Sequence, residues 1–285
     1  MSNAANDARA PAGAWDAHAD DYMRLFSPLT GHIARGMVAL VQSRLPDAPC
    51  LLDIACGPGD LAVAAATLCA ERDAGSVLAT DISPRMVALT QRALQPIDAD
   101  ARAEVRDGQD LGLESASFDA ALSCFGIFLF PDRVAGWRTA AETLRPGGLF
   151  ATSVWRGPES NELAKAQMGP LMSALPARLT NPPPRASWAD LMTAEGLVDE
   201  ITRAAPLIDP EIHILDATLA LPTPNAMWRG MVGNPITGAL IAACTHEERE
   251  DVERAVLAAF ENRSGGPDLP FLLNTSCHVL IARRA

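Results

Sequence analysis

The sequence predicts an α/β fold, a doubly wound and mainly parallel sheet with helices on both faces. Three observations carry this. Between Cys50 and Trp155, five short apolar runs alternate with helical patterns, the signature of strands buried on both faces. The first run ends in a glycine-rich turn, Gly57-Pro58-Gly59, that leads into an Ala-rich helix. Cap and proline signals such as Ser83-Pro84 and Pro131-Asp132 open the next helices. Right-handed crossovers leave few topologies for such an order.

Residues 1–13 are Ala-rich and polar and read as a disordered tail, not a secretory signal. A single domain follows over 14–285, opening with a helical cap at 14–45. Trp15, Ala19, Tyr22 and Met23 share one helical face; Leu29, Ile33, Met37, Leu40, Val41 and Leu45 mark a second amphipathic helix, ended by Pro46 and Pro49. The core at 46–156 carries strands over 50–55, 76–82, 101–106, 118–125 and 149–155. Helices fall near 60–72, 84–94 and from Pro131-Asp132 to 144, and Arg145-Pro146-Gly147-Gly148 reads as a helix stop and tight turn. From 157 to 285 the rhythm loosens. Helices are expected at 161–175, after Thr193, and about 225–232 and 245–262, with room for another between the last two. Asn181-Pro182-Pro183-Pro184 reads as a stiff loop, 211–221 and 271–282 as strands, and Gly265-Gly266-Pro267 as a turn. No internal repeat is visible.

Composition narrows the function. The six cysteines show no CxxC pair and no zinc spacing, so a disulfide scaffold or metal site is not expected and a reducing cytoplasm fits. No apolar run approaches the roughly 18–20 residues of a membrane span. A net charge of −12 argues against nucleic acid and favours a small-molecule partner. The oligomeric state stays open between monomer and homodimer.

The glycine turn alone is a generic nucleotide site, because glycine admits a ligand close to the backbone and the helix start offers free N–H groups. Further features follow in order. Asp53, inside the strand before the glycines, can hold a cationic or amine-bearing ligand, or merely steady the turn. Asp81 ends the next strand, where a carboxylate accepts from both ribose hydroxyls, or else caps the following helix. Asp107 and Gly108 follow the third strand, where an adenine fits: Asp107 accepts from its exocyclic amine and the Gly108 N–H donates to a ring nitrogen. An ordinary polar turn is the alternative. Phe118-Asp119-Ala120-Ala121 and the Arg145–Gly148 segment set the scaffold.

In this combination the residues resemble the class I S-adenosylmethionine-dependent methyltransferases, most closely the UbiE-like small-molecule group. The likeness covers roughly 15–155 and thins to a likeness of layout from 161 onward. It implies a Rossmann-like sheet of seven strands, the last antiparallel, with 211–221 sixth and 271–282 seventh. Segments at about 161–187 and 223–262 then become lid or acceptor-site elements. It implies S-adenosyl-L-methionine as cofactor and S-adenosyl-L-homocysteine as product. Gly57 and Gly59 then approach the methionine part, Asp81 takes the ribose, and Asp107 with Gly108 reads adenine. Ile82 and Met86 pack near the purine, and Ser123 faces the methionine end. Trp15 and Tyr22 match a W-D-x-x-A-x-x-Y pattern whose helix lies over the cofactor. Ala55 departs from the pattern, standing where many relatives carry the first glycine.

Methyl transfer from a sulfonium is an in-line displacement, and orientation in a dry pocket supplies about 7–11 kcal/mol. A hydroxyl or ammonium acceptor must also lose a proton. His18, Tyr22, His32, His213, His246 and His278 are the candidates for that base, each equally readable as a surface or core residue. His18 and Tyr22 lead, since the N-terminal helix borders the pocket, and no base is assigned. Trp155, Trp188, Trp228 and Phe125 are candidates for an apolar acceptor wall. The acceptor itself stays open among quinone or phenol, amine and thiol groups. A nicotinamide-dependent oxidoreductase would share the glycine turn but normally shows G-x-G-x-x-G without an acid at Asp53's place. A non-catalytic adenosylmethionine-binding protein would share every cofactor motif.

Overall fold

The structure is a computed structural model and describes residues 12–180 and 189–285. The tail before residue 12, the Pro182–Pro184 run and Trp188 lie outside the described residues.

The chain begins with one long helix, α1 (Ala12–Val41), which runs through Pro28. The two N-terminal helices expected from the sequence are therefore a single one. Both halves bury an apolar face, Ala19 and Leu25 in the first and Leu29, Ile33 and Met37 in the second, so packing carries the helix past the proline.

Then comes the alternation: β1 (Cys50–Ile54), α2 (Asp60–Glu71), β2 (Ser76–Asp81), α3 (Pro84–Leu94), β3 (Asp100–Val105), β4 (Phe118–Cys124), α4 (Arg133–Thr143) and β5 (Leu144–Trp155). The Ser83 hydroxyl accepts from Met86 N and Pro84 occupies the first turn, so α3 starts where its cap dictates. The Arg145–Gly148 segment departs from expectation. Leu144 already pairs with Phe118, and pairing resumes at Ala120 with Leu149, so the tight turn is a bulge inside β5.

Beyond β5 lie α5 (Glu162–Ala174), α6 (Ala177–Thr180), α7 (Ala194–Ala204), β6 (Leu207–Leu221), α8 (Pro224–Gly233), α9 (Pro235–Ala242), α10 (His246–Ser264) and β7 (Phe271–Arg284). Helix α10 carries a reciprocal capping box between Thr245 and Glu248 and stops at left-handed Gly265, φ 86°. Strand β6 starts four residues earlier than the sequence pattern shows, because a second bulge between Ile208 and Glu211 interrupts its register.

The sheet order is β3-β2-β1-β4-β5-β7-β6, with β7 antiparallel to both neighbours. Trp137, Phe128 and Phe150 are fully buried in its core, Trp137 meeting Phe150 edge-on at 5.9 Å. The carboxyl ends of β1, β2 and β4 point to one rim, crossed by α1. In an open sheet of this kind, that rim is where ligands bind.

Candidate functional site

At the end of β1 the backbone turns sharply. Ala55 takes a left-handed conformation at φ 58°, followed by Gly57 at φ 54° and Gly59 at φ 106°. A Cβ on Gly57 would meet nothing within 4 Å, whereas one on Gly59 would lie 3.0 Å from Thr90 Cα. Gly57 therefore faces open space on the ligand side, and Gly59 lets α2 approach α3. Gly59 caps α2 without a side chain, so the first N–H groups of that helix keep no side-chain partner there.

Three carboxylates gather under this turn. Asp53 is 1% exposed and has no side-chain hydrogen-bond partner among the described residues; the Ala62 backbone N–H faces its carboxylate. Burial pushes its pKa well above the usual carboxylate range, Asp81 adds to this, and the Ala62 backbone opposes it. Asp81 accepts from Gly57 N and from Ser83 N, both at 2.9 Å, one on each oxygen. Burial raises its pKa too, against those hydrogen bonds. Asp60, the first residue of α2, accepts from Thr30 Oγ1 at 2.6 Å, and burial raises it as well. Sequence reasoning missed Asp60, because its approach to Thr30 depends on where α1 crosses.

Helix α1 closes the top. Asp16 accepts from the Ser83 hydroxyl and, at 3.1 Å, from Arg85 N, while Asp20 takes the Arg85 guanidinium in two 2.8 Å bonds. Met86, 2% exposed, is packed with Ala19, Leu89, Trp15 and Tyr22 into a small cluster between α1 and α3. Ile82 beside it remains 41% exposed, leaving an apolar surface free at the rim. Past β3, the Asp107 carboxylate accepts from Gln109 N at 2.9 Å, and Gly108 is buried where a Cβ would strike the Phe130 ring at 2.5 Å.

The Ser123 hydroxyl is fully buried, donating to Ile54 O at 2.9 Å and accepting from Ile127 N at 3.3 Å, and ties β4 to β1. Tyr22 is held as a neutral phenol: burial raises its pKa, and Cys124, Asp60 and Asp81 raise it further against a hydrogen bond with Thr30. Its ring meets Trp15 edge-on at 6.2 Å.

The histidines do not converge. His18 packs toward α8, where a Cβ on Gly233 would lie 2.9 Å from its Nδ1. His246 is 91% exposed beside Glu250, and His213 lies 3.5 Å from Glu211 on β6. His278 is buried in β7, and burial lowers its pKa. His32 lines a separate cleft described below. Trp228 belongs to the core at 5% exposure. Phe125 and Trp155 instead stack at 3.8 Å and 16° where β4 and β5 end, with Phe125 itself left-handed at φ 57°.

Residues 51–148 match the family model described as "Methyltransferase domain". A stretch of 135 residues, 46% of each chain, is 31% identical to methyltransferase tpcH of Aspergillus fumigatus. Another of 143 residues is 34% identical to the 27-O-demethylrifamycin SV methyltransferase of Amycolatopsis mediterranei, over 49% of this chain and 48% of that one. The chain thus spans about half the length of the curated relatives it matches. The YcgJ protein of Bacillus subtilis shares the fold with a TM-score of 0.55 at 17% identity, over 89% of this chain and 99% of that chain.

Fold and rim together define a Rossmann-like α/β domain with an acidic cluster at its carboxyl rim. Within it, residues 51–148 are similar to known methyltransferase domains.

Proposed function

We propose that the chain transfers the methyl group of S-adenosylmethionine to a small-molecule acceptor. The observation that carries this is the Asp53 carboxylate, buried beneath the glycine turn with no side-chain hydrogen-bond partner among the described residues. Burial opposes its ionisation, and a neighbouring cation offsets that cost. The cofactor brings two, an ammonium and a sulfonium, and supplies a methyl group already activated for displacement. Asp53 and Asp60 set the negative potential that holds the ammonium, and the start of α2 offers N–H groups to the carboxylate. Asp81 turns toward the ribose while keeping its grip on Gly57 and Ser83, since each carboxylate oxygen accepts more than one bond. Asp107, Gly108 and exposed Ile82 receive the adenine.

The remaining residues exclude water and fix orientation. The Trp15–Tyr22–Met86 cluster shuts the side under α1, and the stacked Phe125–Trp155 pair forms an apolar wall at the ends of β4 and β5. Alignment in such a site is worth about 7–11 kcal/mol. The net charge of −12 favours a small molecule over nucleic acid.

Calorimetry with S-adenosylhomocysteine tests the reading. Asp81→Ala loses charged hydrogen bonds worth about 1.5–3 kcal/mol each, so affinity falls at least about tenfold while the protein stays folded. Unchanged affinity sinks the assignment. Turnover against a small-molecule library then separates the enzyme from a protein that only binds the cofactor.

A further inference from the structure

A concavity of about 660 Å³ lies between α1 and the β6–β7 edge. Its helix wall presents His32 and Arg35, and its strand wall presents Asp216 and Thr218 with Asn274 and Thr275 of β7. Thr218 and Asn274 bond each other at 2.9 Å. Arg35 and Asp216 carry opposite charges and form no ion pair with each other among the described residues; Arg35 lies instead near Asp60, whose carboxyl it helps to hold down. Thr275 is 3% exposed and its hydroxyl has no partner, although it lines the cleft. An unsatisfied buried hydroxyl is costly, and a ligand's polar group offsets that cost.

The cleft adjoins the cofactor side of the molecule. A Cβ on Gly31 would lie 3.3 Å from Asp60 Oδ1 and 3.4 Å from Arg35 Nη1, so the helix carries Arg35 beside the residue that follows the glycine turn. A volume of this size suits a small organic ligand.

We infer that this cleft recognises the methyl acceptor, and that the acceptor is zwitterionic, its anionic group on Arg35, its cationic amine on Asp216 and a polar atom on Thr275. The inference rests on the methyltransferase reading and assigns the acceptor's charged end. Opposite charges on facing walls that leave each other unpaired suit a ligand that bridges them. A ligand of either charge alone leaves one wall facing its own sign.

Three matched probes test it: tyrosine, which carries both charges; tyramine, the cation alone; and hydroxyphenylpropionate, the anion alone. Binding is measured by calorimetry to the full chain saturated with S-adenosylhomocysteine. Tyrosine binds at least about tenfold more tightly than either relative, as expected for an added charged hydrogen bond. Arg35→Ala and Asp216→Asn each erase that advantage, and Thr275→Val weakens all three. Equal binding of the three, no binding of any, or a tyrosine affinity untouched by the variants overturns the inference. Affinity for S-adenosylhomocysteine, measured in parallel, stays within about twofold in Asp216→Asn and Thr275→Val, which are independent of the glycine turn. Failure of that control points to the methyltransferase reading instead.

Discussion

Ala55 and Phe125 hold left-handed backbone at φ 58° and 57°, one after β1 and one after β4. For a residue with a Cβ this costs about 1–2 kcal/mol, and such strain gathers where a ligand is held. Ala55→Gly therefore raises stability by about 1 kcal/mol, read as a higher Tm. Gly126 is constrained by the same atom: a Cβ there would lie 2.5 Å from Ala55 Cβ. Gly126→Ala destabilises by about 1–3 kcal/mol, and part of that loss returns in the Ala55→Gly background. Asp53 belongs to this scale too. Its pKa is raised by folding, so its favourable contribution is complete below about pH 4 and disappears as pH climbs through the folded-state value. Ionising Asp53 in the ligand-free protein works against folding. Asp53→Asn is expected to raise the Tm of the ligand-free protein at neutral pH and to weaken S-adenosylhomocysteine binding about tenfold. A variant with lower Tm and unimpaired binding contradicts the role given to Asp53.

At the scale of elements, α1 is fastened over the site by Asp16 and Asp20. The Asp20–Arg85 pair is solvent-exposed, at 61% and 41%, and adds little stability. Asp16 reaches Ser83 and Arg85 N from the half-buried side, so Asp16→Ala loosens the cover more than the fold. Stopped-flow measurement should show S-adenosylhomocysteine leaving up to about tenfold faster with Tm nearly unchanged. Helices α4 and α7 are joined differently. Glu200 accepts from Arg133 Nε at 2.6 Å and from Trp137 Nε1 at 3.0 Å. Burial alone would raise the Glu200 pKa, but the Arg133 and Trp137 hydrogen bonds outweigh it and hold it low. This link is intact above the ordinary glutamate pKa and weakens as pH falls through the lowered value. Glu200→Ala costs about 2–3 kcal/mol by denaturation, since it strands the arginine.

Elements also show what local pattern conveys. The strand–glycine–helix sequence at Asp53–Asp60 and the cap at Ser83-Pro84 are written in neighbouring residues, and both are legible. Asp209-Pro210 and Arg145–Gly148 look like turns for the same local reasons, but the ladder continues on either side of each and absorbs them as bulges. Asp60, Arg35 and Thr275 carry no local signal. Their parts come from α1 lying across the rim, which depends on contacts between residues far apart in sequence.

For the molecule as a whole, the strand order separates two regions with different jobs. The segment from β1 to β5 holds every residue assigned to cofactor chemistry except those of α1. The helices α8, α9 and α10 are inserted between β6 and β7, which return to the same sheet. Acceptor choice can vary through those helices and the cleft beside them while the cofactor side stays fixed.

The placement of β7 between β5 and β6 also governs when the protein can become whole. During synthesis β1 to β5 can pair as they emerge, but β6 bonds only to β7 and must wait for it. At roughly 5–20 residues per second the intervening stretch takes several seconds to appear. Through that interval the outer edge of β5 and all of β6 lie open to other chains. A version stopped before Phe271 should accumulate as aggregate, whereas the full chain escapes once its final strand zips both edges shut. Demand for a chaperone during production would then be set by the last strand.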